Sequence, residues 1–171
     1  MIGKTESEII KNWKGDKAIP LVSICCITYN HEKFISEALD SFLIQETDFP
    51  FEIIVRDDAS DDNTAKIIKD YKKKFPNIIK PIYEATNQYS KGVKPMPVTF
   101  KKASGKYIAI CEGDDYWINK NKLQKQVDFL EEHHDFSLVF HNAFLMHGKQ
   151  KEVFRKIKNR EYTGAEILEN W

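Results

Sequence analysis

Short unbroken apolar runs alternate along this chain with longer stretches whose apolar residues fall three or four apart, the rhythms of buried strands and amphipathic helices. Residues 21–27 form a continuous run of the kind that fills the centre of a parallel sheet. Residues 31–45 place Phe34, Ile35, Ala38, Leu39, Phe42 and Leu43 at helical spacing. The pattern predicts a second strand at 51–55, a helix at 64–74 with Ala65, Ile67, Ile68 and Tyr71 inward, and a third strand at 78–83. A polar loop at 87–97 leads to a short helix at 98–103, stopped near Gly105, and then to a strand at 107–111. The remainder predicts a helix at 119–133 with Leu123, Val127, Phe129 and Leu130 inward, a strand at 136–140 and a hairpin turn at 147–149. Thr163 and Glu166 form a capping box that opens a last helix. Ahead of this series, residues 1–18 read as an N-terminal appendage, with Ile9, Ile10 and Trp13 on a short docking helix. Alternating strands and helices predict an open α/β sheet with right-handed crossovers over 19–171.

Composition narrows the partners. The 171 residues suffice for one domain with a real core, and 26 basic residues balance 26 acidic ones. No global field therefore recruits nucleic acid or an anionic membrane. No apolar run is long enough to span a bilayer, which leaves peripheral membrane association open. The three cysteines, Cys25, Cys26 and Cys111, sit in apolar runs without zinc-ligand spacing, so they read as packing residues in a reducing, cytoplasmic compartment. The His133–His134 pair at a helix end is no metal site either.

Chemistry concentrates where the strands end. In an open α/β sheet, ligands sit outside the carboxyl ends of the strands. Three polar clusters fall there: Thr28, Tyr29 and Asn30; Asp57 and Asp58; and Glu112, Gly113, Asp114 and Asp115. Adjacent carboxylates at a strand end repel one another and resist leaving water. A hard cation such as magnesium or manganese removes that conflict and can bridge carboxylate to phosphate. Each cluster alone also has a plain structural reading, as a helix cap or an acidic helix N-terminus. The run at 57–63 fails as a calcium loop, because Asn63 and Lys69 stand where the turn glycine and terminal glutamate belong.

Taken in order, Val22 to Asn30, Ile54 to Asp61, and Ala103 to Ile108 leading into Glu112–Asp115 resemble family 2 glycosyltransferases, over about residues 20–142. That resemblance implies a GT-A (Rossmann-like), open, mixed but mostly parallel sheet flanked by helices, and an inverting enzyme that uses a nucleotide-sugar. Carried over by position, the backbone of Ile27 and the ring of Tyr29 line the nucleobase slot, with Asn30 beside them. Asp58 bonds the base, usually uracil, with Asp57 next to it. Asp114 faces the ribose and joins Asp115 in holding Mg2+ or Mn2+. Apart from that carry-over, Glu112, Trp117 and His141 are candidate sugar or acceptor contacts, with a packing role the plain alternative for Trp117 and His141. The implied partners are a UDP-sugar donor and a glycan or lipid-linked acceptor.

Departures from the family pattern qualify this. Ala59 replaces the usual glycine, Glu112 replaces the first aspartate of Asp-x-Asp, and residues 95–97 lack the family's nucleotide-contacting arginine. Lys91 or Lys94 is the candidate substitute. In the family the general base lies well past the metal motif, so it is expected beyond Trp171 and the chain reads as C-terminally truncated. Two rivals follow: a truncated domain that binds nucleotide without catalysis, and a metal-dependent nucleotidyltransferase. The second would need a Gly-rich phosphate loop where Thr28–His31 stand.

Overall fold

The computed structural model describes residues 3–148, 150–154, 160–163 and 166. They form two compact units, 1–132 and 133–171.

In the first unit the elements run α1 (Glu6–Ile10), β1 (Val22–Thr28), α2 (Ile35–Leu43), β2 (Phe51–Asp57), α3 (Thr64–Lys74), β3 (Ile79–Tyr83), a 3-10 turn (Tyr89–Lys91), α4 (Pro95–Phe100), β4 (Tyr107–Ile110) and α5 (Lys122–Glu132). The four strands make a parallel sheet in the order β3-β2-β1-β4. Strand order therefore reverses between β1 and β4, the switch point at which such sheets bind ligands. β1 and β2 are buried on both faces, as their apolar runs require. Ile24, Leu39, Phe42, Ile53, Val55 and Ile68 form the centre of the core.

Several predicted elements shift for local reasons. The helix expected from residue 31 starts at Ile35, because Asn30 is left-handed (φ 55°) and His31–Phe34 form a turn; Phe34 is 48% exposed rather than inward. α4 begins at Pro95 instead of residue 98, since proline at the first helical position has its φ pre-set and needs no N–H partner. The appendage is docked, as its apolar residues suggested: Ile9 and Trp13 join the core, with the Trp13 ring 5.2 Å from Phe51. Its Glu6 carboxylate accepts from the backbone N–H groups of Asn77 and Ile78.

A polar knot braces the N-terminal edge of the sheet. Glu52, 2% exposed on β2, accepts from the Ser23 hydroxyl at 2.6 Å and from Ser104 N–H at 2.9 Å and its hydroxyl at 2.7 Å, and pairs with Lys80. Gly105 passes so close to β1 that a Cβ there would lie 2.7 Å from Ser23 N and 2.8 Å from the Val22 carbonyl carbon. Both are backbone atoms, so the strand itself would have to move. Gly105→Ala should cost about 1–3 kcal/mol of folding stability, read as a lowered urea midpoint with an unchanged m-value.

In the second unit, β5 (Phe144–His147) and β6 (Gln150–Val153) form an antiparallel hairpin. His147 and Gly148 lie at its turn as expected; Lys149 lies outside the described residues. The strand expected at 136–140 does not form. Its apolar composition suits a strand, but among the described residues no neighbouring strand supplies the ladder that would define it. Thr163 and Glu166 make the reciprocal capping bonds, at 2.9 and 3.3 Å, while the helix they were expected to open lies outside the described residues. Among the described residues no helix is long and apolar enough to cross a membrane.

Candidate functional site

The C-terminal ends of β1, β2 and β4 bring the three polar clusters together. Thr28 is in register with Asp57, Asp58 N–H donates to Thr28 O at 3.0 Å, and Gly113 N–H donates to Ile27 O at 2.9 Å. These bonds place the 112–115 run directly beside the β1 exit. A cleft of about 580 Å³ opens there. Of the residues expected at a site, Ile27, Tyr29, Asp58 and Glu112 line it. Thr28, from the first polar cluster, lines it too, and so do residues to which the sequence assigned no site role, among them His31, Arg56, Asn87 and Tyr89.

The turn after β2 answers the missing glycine. Ala59 adopts φ 61°, a left-handed conformation that costs an L-residue about 1–2 kcal/mol. Ser60 offsets this by bonding through its hydroxyl and its N–H to the Asp57 carboxylate. Asn30 laces the turn to β1: its N–H donates to Ser60 Oγ at 2.9 Å and its Oδ1 accepts from Asp61 N–H at 3.0 Å. Asn30 thus builds the rim instead of lining the cleft.

Asp58 is more deeply engaged. Its carboxylate, 5% exposed, accepts from Arg56 Nη2 at 3.0 Å, from Gln88 N–H at 3.0 and 3.2 Å, and from Tyr89 N–H at 2.9 Å. It therefore fastens the 3-10 turn to β2. Burial pushes the Asp57 carboxyl up, against the bonds from Ser60, which lower it.

After β4, burial and then the Asp114 charge push the carboxyls of Glu112 and Asp115 up. His31 opposes both shifts, with its Nε2 3.8 Å from Asp114. Gly113 lets the acidic run pass here, since a Cβ would lie 2.8 Å from Thr28 Oγ1 and 3.1 Å from His31 Nδ1. Among the described residues no group of three or more His, Cys, Asp or Glu is arranged to hold a metal by itself.

Other candidates sit elsewhere. Lys91 donates to Thr86 Oγ1 at 2.7 Å on the exposed turn and Lys94 precedes α4; neither lines the cleft. Trp117 is a core residue, 6% exposed, with its ring 4.8 Å from Phe42 and Lys122 Nζ 3.9 Å above it. Its neighbour Tyr116 keeps 37% of its surface. Packing against Phe42 draws the Trp117 ring, expected as a sugar contact, into the core. His141 belongs to the second unit, where it is exposed and its Nδ1 lies 2.9 Å from Asn142 O.

Residues 23–167 match the profile described as Glycosyl transferase family 2. The chain belongs to that family. An uncharacterized protein of Mycobacterium tuberculosis H37Rv is 45% identical over 121 residues, covering 70% of this chain and 34% of that protein. TarS of Staphylococcus aureus, a poly(ribitol-phosphate) β-N-acetylglucosaminyltransferase, is 40% identical over 120 residues, 68% of this chain and 20% of that protein. The crystal structure of TarS 1–349 with UDP-GlcNAc superposes with a TM-score of 0.57 over 66% of this chain and 32% of that one. A Pyrobaculum calidifontis mannosyltransferase, solved with GDP-Man and Mn2+, shares the fold at 22% identity and a TM-score of 0.56, over 73% of this chain and 38% of that one. The match thus spans a fifth to a third of these curated relatives. The expected fold class holds, with family 2 members carrying the same parallel sheet flanked by helices.

Proposed function

We propose that this family 2 chain carries the donor-binding half of a glycosyltransferase that takes its sugar from a UDP-sugar. One observation supports the reading: Ile27, Tyr29, Asp58 and Glu112, from the ends of three strands about the sheet's switch point, line one cleft, and Asp114 and Asp115 follow Glu112 directly. An aromatic and apolar slot beside crowded carboxylates suits a base at one end and a metal-bound diphosphate at the other. The 40% identity to TarS, crystallised with UDP-GlcNAc, supports uracil as the base.

The donor set fits a hard divalent cation. Burial and then the Asp114 charge oppose ionisation of Glu112 and Asp115, and such cations are commonly held by one or two carboxylates plus substrate phosphates. Asp115, with Asp114, would hold Mg2+ or Mn2+; the ion, when bound, neutralises charge on the departing nucleoside diphosphate. Tyr29, 43% exposed on the cleft, offers a ring for the base. Residues 19–171 belong to the donor domain in this reading, and 1–18 are its docked appendage. The acceptor is a glycan or lipid-linked saccharide, and the buried free thiols of Cys25, Cys26 and Cys111 suit the cytoplasm.

Calorimetric titration with UDP, with and without manganese, tests the reading. Binding that strengthens with manganese is expected. UDP that binds in neither condition would overturn it.

A further inference from the structure

A buried cation in this cleft is left with an unused donor. Arg56, on β2, is 1% exposed and lines the cleft. Its Nε donates to Glu84 at 3.0 Å and its Nη2 to Asp58 at 3.0 Å. Nη1 is buried with no hydrogen-bond partner. Buried polar atoms without partners are rare, and a charged donor left so is costly, so the vacancy calls for a cause. Thr28 Oγ1 and His31 Nδ1, from two other lining residues, are also without partners. Those two lie against Gly113, where even an added Cβ would be 2.8 and 3.1 Å from them. Arg56 is different, because two anchored nitrogens aim the third.

We propose that Arg56 is a specificity-determining residue of the donor site, donating from Nη1 to a carbonyl oxygen on the edge of the nucleobase. This rests on the donor-site reading above. Arg56 shares β2 and its exit with Asp58 and lines the cleft with Tyr29, whereas the crowded carboxylates that suit a metal and diphosphate follow β4. Neither Lys91 nor Lys94 lines the cleft, so the guanidinium is its permanent cation among the described residues. A rigid cationic donor favours bases with a carbonyl acceptor, such as uracil, over adenine, which has none. Nη1 has no surface open to water. Binding there therefore requires that atom to be uncovered.

The test titrates the whole chain, in manganese, with UDP, 2-thio-UDP, 4-thio-UDP and ADP, for the native protein and Arg56→Lys. Sulfur is a weak acceptor, so one of the two thio analogues should bind about ten- to a hundredfold more weakly than UDP. ADP should bind at least as weakly as that analogue. Lysine keeps the charge but not the fork, so the variant should lose the preference among bases while still binding UDP. Both thio analogues binding like UDP would overturn the assignment, as would Arg56→Lys weakening every ligand equally, which places Nη1 on phosphate. Should the variant fail to fold by thermal melting, Arg56→Gln, which keeps an N–H donor without the charge, is titrated in its place. No UDP binding at all removes the donor-site reading and this one with it; binding indifferent to sulfur removes this one alone.

Discussion

Asp115→Asn should cut manganese-dependent UDP affinity about a hundredfold or more, since even residues behind a metal ligand cost 10–100-fold when lost. The same substitution should raise the melting temperature of the metal-free chain at pH 7. Burial and the Asp114 charge hold the Asp115 carboxyl above its ordinary value of 3.8, so its ionised form is less welcome in the fold than in the unfolded chain. With the folded pKa raised, the native carboxyl carries no penalty below the unfolded value and loses stability as pH rises through the folded one. An amide never ionises. The gain should therefore be present at neutral pH and vanish near pH 3, where the aspartate is neutral too. Calorimetric titration and melts across that pH range check both halves. A variant that binds UDP with unchanged manganese dependence would remove Asp115 from the metal site.

Glu52→Ala should lower folding stability by about 2–4 kcal/mol, with little direct effect on the cleft at the opposite end of the strands. The loss strips an acceptor from the Ser23 hydroxyl and from the N–H and hydroxyl of Ser104, a cluster shielded by β1 and the approach to β4. Burial raises the Glu52 carboxyl, but Lys80, Ser23 and Ser104 together pull it below its ordinary value of 4.5. A depressed folded pKa contributes stability above the unfolded value and loses it as pH falls through the folded one. Native protein should thus weaken below about pH 4.5 in urea titrations, and the gap between native and Glu52→Ala should narrow there. A gap that stays constant across that range would mean that the carboxylate's charge contributes nothing to the knot.

The central strands were legible because their cause is local. Runs such as 21–27 and 51–55 are too apolar to face water on either side, so only a covered parallel sheet accommodates them. Residues 136–140 carry a similar run and form no strand, because pairing needs a partner that composition does not name. Of the neighbours Tyr116 and Trp117, sequence does not tell which ring turns inward; the space beside Phe42 decides that. Lys91 and Lys94 were candidates for a cation in the site because they lie next to the stretch where the family's arginine is missing. Arg56 sat inside a strand, where a buried charge has no periodic signature, and the salt bridges that explain it come from Glu84 and Asp58.

The order of the motifs along the chain was enough to establish the family, the alternating architecture and the end of the sheet at which chemistry gathers. Those follow from local periodicity and from the rule that strand ends carry the loops. Tertiary structure alone decided which polar groups meet. It turned Asp58 into the clamp of the Tyr89 turn, put Asn30 into the rim, seated His31 against the acidic run and left Arg56 with a free donor. Each of these depends on strand order and on distances of a few ångströms between residues about thirty to eighty apart in sequence or held in a strained turn, and no local pattern encodes them.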